Sequence, residues 1–268
     1  MTWKRIHIEE LTSTMDWLRN VPAEYSTDMS PLVVTADFQT CGRGQRGNHW
    51  EAERDKNLLI GMRFVPFGLK ASEQFLLSEA LSLAVVEALN TVVESLNTVT
   101  ESLNTVAEDL NAVAGKADAF SVKWPNDIYY NDRKVCGMLL EHDLSGGDIS
   151  QTIAGVGINV NQVRFLSDAP NPVSLFQILG CETDREKILN LLLSHLDARC
   201  QQLCNGQREV LHADYMRMLY RRDGLHTYKD CNGVFRAEIV DVGWNGVLHL
   251  RDTEGCVRRY SFKEVAFV

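Results

Sequence analysis

The chain has 268 residues, a formal net charge of −9, an apolar fraction of 45% and a charged fraction of 24%. That is enough chain for one substantial domain plus a small one, each with a packed core. The acidic balance excludes a general nucleic-acid binder, which needs a basic face or tail, but leaves room for a local cationic pocket.

In chain order, Met1-Thr2-Trp3-Lys4-Arg5 is followed by mixed residues and not by an apolar run, so no secretory leader is expected. Residues 4–8 alternate as a short strand. Ser13-Thr14-Met15-Asp16-Trp17-Leu18 reads as a helix start with Ser or Thr as the cap. Residues 32–36 are β-rich, 42–47 form a Gly/Arg-rich loop, 57–64 read as a strand, and Pro66-Phe67-Gly68 reads as a turn. From residue 72 the pattern is helical and carries a heptad repeat: 89–95 reads LNTVVES, 96–102 LNTVTES and 103–109 LNTVAED. Leu89, Leu96, Leu103 and Leu110 share one heptad position, and Val92, Val99, Val106 and Val113 the position three later, which makes an a/d seam. A continuous helix over 72–114 would be about 60 Å long at ~1.5 Å per residue. Two readings of the repeat stand: an expansion of a tolerated helix with no effect on activity, and a seam through which two copies form a homodimer. No stretch is read as approaching the roughly 20 apolar residues of a spanning helix, so no membrane contact is expected.

Beyond the repeat, 120–122 and 135–141 read as strands, with 128–141 a hairpin. Residues 152–160 form a buried strand and 185–205 an amphipathic helix. From about 221 the texture changes to short strands with Gly punctuation, at 234–240, 246–250 and 257–262, as in a small β-barrel. The expected organisation is a domain over 1–220, with the heptad extension at about 89–114, and a second over 221–268. The seven cysteines are odd in number and include no Cys-x-x-Cys, which fits reduced thiols in a cytoplasmic protein. Cys200 and Cys204 lie one helical turn apart without a histidine pair at zinc spacing, so no structural metal is expected.

Two segments carry chemistry. In Gly42-Arg43-Gly44-Gln45-Arg46-Gly47, three glycines let the backbone turn tightly against a ligand, successive N–H groups can cradle an anion, and two arginines add planar donors. The spacing matches neither the dinucleotide fingerprint, since no amphipathic helix follows, nor the P-loop, which ends in Gly-Lys-Ser/Thr. The bland alternative is a flexible contacting turn. The second segment runs Lys123-Trp124-Pro125-Asn126-Asp127 to Lys134-Val135-Cys136-Gly137. Two turns bracket a β-rich run, so Lys134 begins a returning strand, where its ammonium can offset charge growing on a phosphoryl group.

Together these segments resemble the biotin–protein ligase family, over residues 5–268. Ser13-Thr14 is similar to the start of that family's Ser-Thr-Asn motif, Gln39 with residues 42–47 and Trp50 to its biotin and adenylate loop, the 123–137 strings to its catalytic segment, and Gly155-Val156-Gly157-Ile158-Asn159-Val160-Asn161 to the strand and loop beside the nucleotide. The resemblance implies an α+β fold: a class II aminoacyl-tRNA synthetase-like mixed sheet with flanking helices, and a small C-terminal SH3-like β-barrel. It implies the chemistry too: biotin attacks the α-phosphate of ATP, held with Mg2+, and biotinyl-5′-AMP then acylates a lysine of the biotin carboxyl carrier domain of a biotin-dependent carboxylase. By the same resemblance, Lys134, Arg43 and Asp127 are catalytic. Biotin contacts fall to Ser13, Thr14, Gln39, Gly42, Arg43, Gly44, Gln45, Arg46, Lys134 and Gly137. Nucleotide contacts fall to Arg43, Arg46, Trp50, Lys123, Asn126, Asp127, Gly157 and Asn159, with Mg2+ near Asp127 and no protein-only metal site. Trp50 is expected on the adenine.

Three departures stand out. Met15 replaces the Asn of Ser-Thr-Asn, so that hydrogen bond is lost or supplied elsewhere. Gln45 stands where many members have arginine, and the heptad insertion matches no family pattern. The first motif begins within about 15 residues of Met1, leaving no room for a winged helix-turn-helix, so no operator binding is expected. The alternatives are a lipoate or octanoate ligase of the same fold and a non-catalytic biotin-sensing assembly protein.

Overall fold

The computed structural model describes residues 1–25, 30–44, 49–66, 68–104, 120–167 and 170–268. Gln45 and Arg46 of the glycine loop, and the heptad positions from 105 to 114, lie outside the described residues. The chain order is β1 (Lys4–Leu11), α1 (Thr14–Arg19), β2 (Leu32–Gln39), β3 (Leu58–Phe64), α2 (Phe75–Asn104), β4 (Phe120–Lys123), β5 (Asp127–Tyr130), β6 (Arg133–Ser145), β7 (Asp148–Ile158), α3 (Leu175–Leu179), α4 (Arg185–Cys204), α5 (Arg208–Arg217), and then β8 (His226–Asp230), β9 (Gly233–Val242), β10 (Leu248–Asp252), β11 (Val257–Tyr260) and β12 (Ala266–Phe267).

The fold is mixed α+β, with two sheets. Seven strands run in the order β1-β2-β3-β7-β6-β5-β4, where β1 and β2 are parallel and the other neighbours antiparallel. Five antiparallel strands form the second sheet, β11-β10-β9-β8-β12. Side chains alternate across a strand, and the large sheet uses that alternation to build two cores. Val33, Ile60, Met62, Ala154, Val156 and Ile158 pack with α2 and α4 in the main core, while Leu32, Val34 and Ile153 pack with Met15 and Leu18 of α1 in a smaller one. Helices α2, α4 and α5 therefore cover one face, and α1 sits on the other.

Helix α2 starts close to the expected position and is traced to Asn104, 30 residues. Leu89, Val92 and Val93 of its early heptads are buried, so the seam begins as part of this molecule's own core. The segment Ala71–Leu96 is long and apolar enough to cross a membrane by length and composition, contrary to the sequence expectation, but 78% of its most apolar window is buried inside the protein. The expected strand at 152–160 lies further back, as β7, because it pairs along most of the long β6. Helices α3 and α5 and strand β8 were not expected. The α3 cap is well formed: Ser174 and Gln177 exchange the two hydrogen bonds of a capping box, and Gly180 closes the end in the left-handed region.

Candidate active site

The free face of the large sheet carries a run of glycines that the expected helix and loop then occupy. On β3 and β7, Gly61 pairs with Gly155, and on β6 and β7, Gly137 pairs with Gly157. A Cβ on Gly61 would stand 2.8 Å from Leu18 Cδ1 and 2.9 Å from Thr14 Cβ, and one on Gly155 would stand 2.8 Å from Met15 Sδ. The absence of side chains is thus what lets α1 lie directly on the backbone. The second pair receives Trp50: a Cβ on Gly157 would be 2.5 Å from its Cε2, and one on Gly137 would be 2.9 Å from its Cζ3. The indole Nε1 is buried without a hydrogen-bond partner.

Around this floor is a cavity of about 890 Å3, within the usual size for a small-molecule site. One end is polar. Ser13 is buried at the N-terminus of α1, and its side chain makes no capping bond. Gln39 Oε1 accepts from Thr14 N at 2.7 Å, which orients the amide and leaves Nε2 as a donor, 3.3 Å from the Cβ position of Gly42. Met15 Sδ fills the space beside them on Gly155, with 2% of the residue exposed.

The other end is cationic. Lys134, on the returning strand of the 127–145 hairpin, places Nζ 2.7 Å from Asp127 Oδ1, with 29% of its side chain exposed. The ammonium also stands 5.7 Å from the centre of a Trp50 ring and 3.2 Å from the Cβ position of Gly137. Lys123 Nζ donates to Tyr129 OH at 2.9 Å. Burial depresses the Lys123 pKa, and nearby Arg221 adds to the shift while Asp127 opposes it. Asn126 Nδ2 donates to Met138 O, and Asn126 O accepts from Met138 N at 3.0 Å, so this side chain braces β6. Asn159 Nδ2 donates to Val173 O at 3.2 Å, leaving a buried Oδ1 without a partner on the cavity wall.

The glycine loop forms a closed stem, with Arg43 bridged to His49 and Trp50 N donating to Gly42 O at 2.9 Å. Arg43 does not project toward Lys134. Its guanidinium donates to Asp16 at 2.7 Å and to Glu141 at 2.9 Å, tying the stem to α1 and β6. To reach a phosphate it would have to leave both carboxylates.

The structure therefore gathers Ser13, Thr14, Gln39, Arg43, Gly44, Trp50, Lys123, Asn126, Asp127, Lys134, Gly137, Gly157 and Asn159 on one cavity, with Gly42 beneath Gln39 and Trp50. Gly137 and Gly157, assigned by resemblance to different ligands, lie side by side under one indole. Sequence reasoning missed three contributors: the Met15–Gly155 contact, the 161–172 loop, and Phe262, Lys263 and Phe267 from the second sheet. The alternation of Gly155 and Gly157 on one strand was a usable signal for the first. Among the described residues, no three His, Cys, Asp or Glu side chains cluster as a metal site. The oxygen donors present, Asp127 and the unpartnered Asn159 Oδ1, suit a magnesium ion that arrives with a nucleotide and keeps most of its ligands from phosphate and water.

An apolar, glycine-floored slot with hydrogen-bonding groups at one end and an ammonium at the other defines a protein that takes a small elongated acid and an anionic group in line with it. A model of the biotin/lipoate A/B protein ligase family matches residues 8–159, and the chain belongs to that family. It is 29% identical over 164 residues to the bifunctional ligase/repressor BirA of Escherichia coli, covering 61% of this chain and 44% of that protein. It is 27% identical over 217 residues to the biotin–[acetyl-CoA-carboxylase] ligase of Mycobacterium tuberculosis, covering 80% and 70%. The chain thus spans less than half of the E. coli relative. Among solved structures, the biotin protein ligase of Aquifex aeolicus in complex with biotin and ATP superposes with a TM-score of 0.70 at 23% identity over 98% of both chains, a likeness of fold. That of Leishmania major in complex with biotin gives 0.64 at 25% identity, over 97% of this chain and 98% of that one.

Proposed function

We propose that this protein is a biotin–protein ligase. Biotin's carboxylate attacks the α-phosphorus of ATP, pyrophosphate leaves, and the resulting biotinyl-5′-AMP is attacked at its carbonyl by the amine of an acceptor lysine, with AMP as leaving group. The observation that carries the reading is the placement of the Lys134 ammonium, buttressed by Asp127, at the end of a slot that Gly137 and Gly157 keep open. From there it can offset charge on the carboxylate and α-phosphoryl oxygens as they approach, a form of electrostatic stabilisation that gains strength from exclusion of water.

Within this reading, Ser13, Thr14 and Gln39 bind the ring end of biotin, and Met15 substitutes shape for a hydrogen bond. Asp127, Asn126, Lys123 and Asn159 serve the nucleotide, with Mg2+ bound along with it and supplying charge neutralisation on the phosphates. Arg43 joins Arg46 on the phosphate only after release from Asp16 and Glu141. Residues 1–220 form the catalytic domain, class II synthetase-like in architecture, and 221–268 an SH3-like one. The acceptor is the biotin carboxyl carrier domain of a carboxylase, and the setting is cytoplasmic, without nucleic acid or membrane as partner.

The test is exchange of radiolabelled pyrophosphate into ATP, with biotin, lipoate or octanoate supplied as the acid. Exchange that requires biotin supports the reading, and exchange with lipoate or octanoate alone would replace it with a lipoyl-type ligase. Biotin binding with no exchange would leave a sensor.

A further inference from the structure

The loop between β7 and α3 walls one side of the cavity through Phe165 and Ser167. Apolar burial does not hold it in place, because Leu166 is 90% exposed and Val163 half exposed. A carboxylate does. Glu51, the residue after Trp50, accepts hydrogen bonds from Ser167 N at 2.7 Å, Leu166 N at 2.8 Å and Gln162 Nε2 at 3.2 Å. Gln162 Oε1 in turn accepts from Glu53 N at 3.0 Å and from Asn57 Nδ2. The exit of the glycine loop and the 162–167 segment are therefore one hydrogen-bonded unit that reaches over the cavity. Hydrogen bonds to an ionised acceptor are roughly twice as strong as neutral ones. Burial opposes ionisation of Glu51, but the bonds from Ser167, Leu166 and Gln162 outweigh it and hold the carboxyl below the usual carboxylate range.

We propose that Glu51 is a positioning residue that fixes the 162–167 loop as the wall of the nucleotide half of the cavity. The nucleotide half is the relevant one because the same loop ends on Lys134: Lys134 N donates to Asn171 O at 2.9 Å and Val173 N to Lys134 O at 2.8 Å. Adjacent residues then set two walls at once, with Trp50 placed on the glycine floor and Glu51 placing the loop. The inference rests on the ligase reading for the identity of the ligand, but not for the clamp itself.

The experiment compares wild-type protein with Glu51→Gln and Glu51→Ala by amide hydrogen exchange and by biotin-dependent pyrophosphate exchange. Loss of the charge-assisted acceptor is expected to raise KM for ATP about tenfold, with KM for biotin and Tm little changed. The Leu166 and Ser167 amides should lose protection, Glu51→Gln falling between wild type and Glu51→Ala. Unchanged protection of those two amides in Glu51→Ala would overturn the clamp, and an unchanged KM for ATP in a variant with deprotected amides would overturn its role at the nucleotide. If the wild-type protein shows no biotin-dependent exchange, the ligase reading fails and the nucleotide role falls with it, while amide exchange decides the clamp on its own.

Discussion

Gly157→Ala isolates the contact on which the slot depends. The added methyl would sit 2.5, 2.7 and 2.8 Å from three atoms of the Trp50 indole, about 1 Å inside the optimum of ~3.5–4.0 Å for such contacts. Gly157 cannot retreat, because it is paired on both sides, to Leu59 and to Gly137. The ring must therefore move, and it can, since it hangs from a surface loop. Overpacking a rigid core costs about 1–3 kcal/mol; here the loop yields, so the expected loss of stability is at the low end, about 1 kcal/mol. Activity should suffer more, since a shift of about 1 Å in a positioning group can cost on the order of 10²-fold in rate. The assay is kcat/KM for biotin in pyrophosphate exchange, read beside Tm. Gly61→Ala is the control: its methyl would meet Leu18 and Thr14 in a helix packed on the sheet, so it should lower stability by about 1–3 kcal/mol. A Gly157→Ala protein with wild-type kcat/KM, or with a greater loss of Tm than Gly61→Ala, would refute the argument.

Lys134→Ala should reduce adenylate formation by about 10²–10³-fold, the usual cost of removing one electrostatic stabiliser, while shifting Tm little, since a part-exposed ion pair contributes about 1 kcal/mol or less; single-turnover formation of biotinyl-5′-AMP checks it. Met15→Ala removes a buried thioether packed on Gly155 and should destabilise by about 2–4 kcal/mol, measurable by urea unfolding. His212 bridges Glu79 at 2.9 Å and Asp241 at 3.1 Å, and its hydrogen bond and charge interaction with Glu79 raise its pKa to about 9. A raised pKa contributes stability that is complete below the unfolded value of about 6.5 and is lost as pH rises through 9. The urea midpoint should therefore fall between pH 6.5 and 9.5, and His212→Gln should flatten that part of the profile.

The sequence revealed the elements whose residues carry a period or a cap, and hid those defined by neighbours. Strands β2, β3 and β9 and helix α4 were legible because apolar residues recur at the right interval. Helix α5 was not: only Leu211 and Tyr215 of its ten residues are buried, too few to impose a helical stripe. Strand β8 has the single buried residue Tyr228. At the site, chemistry-bearing residues with rare local context, such as Lys134 and Asp127, were found, because a hairpin brings them together within eight residues. Arg43 was legible as a cation but not as one engaged by Asp16 and Glu141, which come from elements 27 and 98 residues away. The contribution of the second sheet was invisible for the same reason, since nothing in the order of residues 262–267 says which cavity they will face.

That second sheet explains why the most specific string in the sequence is specific. In Lys123-Trp124-Pro125-Asn126-Asp127, only Asp127 touches Lys134. Asn126 braces β6 through both backbone groups of Met138. Trp124 Nε1 donates to Gly246 O at 3.1 Å, and its ring meets Phe262 edge-on. Lys123 lies 5.5 Å from the centre of the Phe267 ring as well as bonding to Tyr129. Five consecutive residues thus fix the lysine, the strand that bears it, and the sheet that closes the cavity mouth. A substitution at Trp124 should accordingly act at a distance: it removes no group from the floor of the slot, yet it frees Phe262 and Phe267 to move relative to Lys134. Trp124→Phe, which keeps the ring but loses the bond to Gly246, should raise KM for ATP with kcat for the remaining bound complex nearly intact. An equal loss in kcat and in kcat/KM would mean that the string acts on the transition state itself and not through the closure of the mouth.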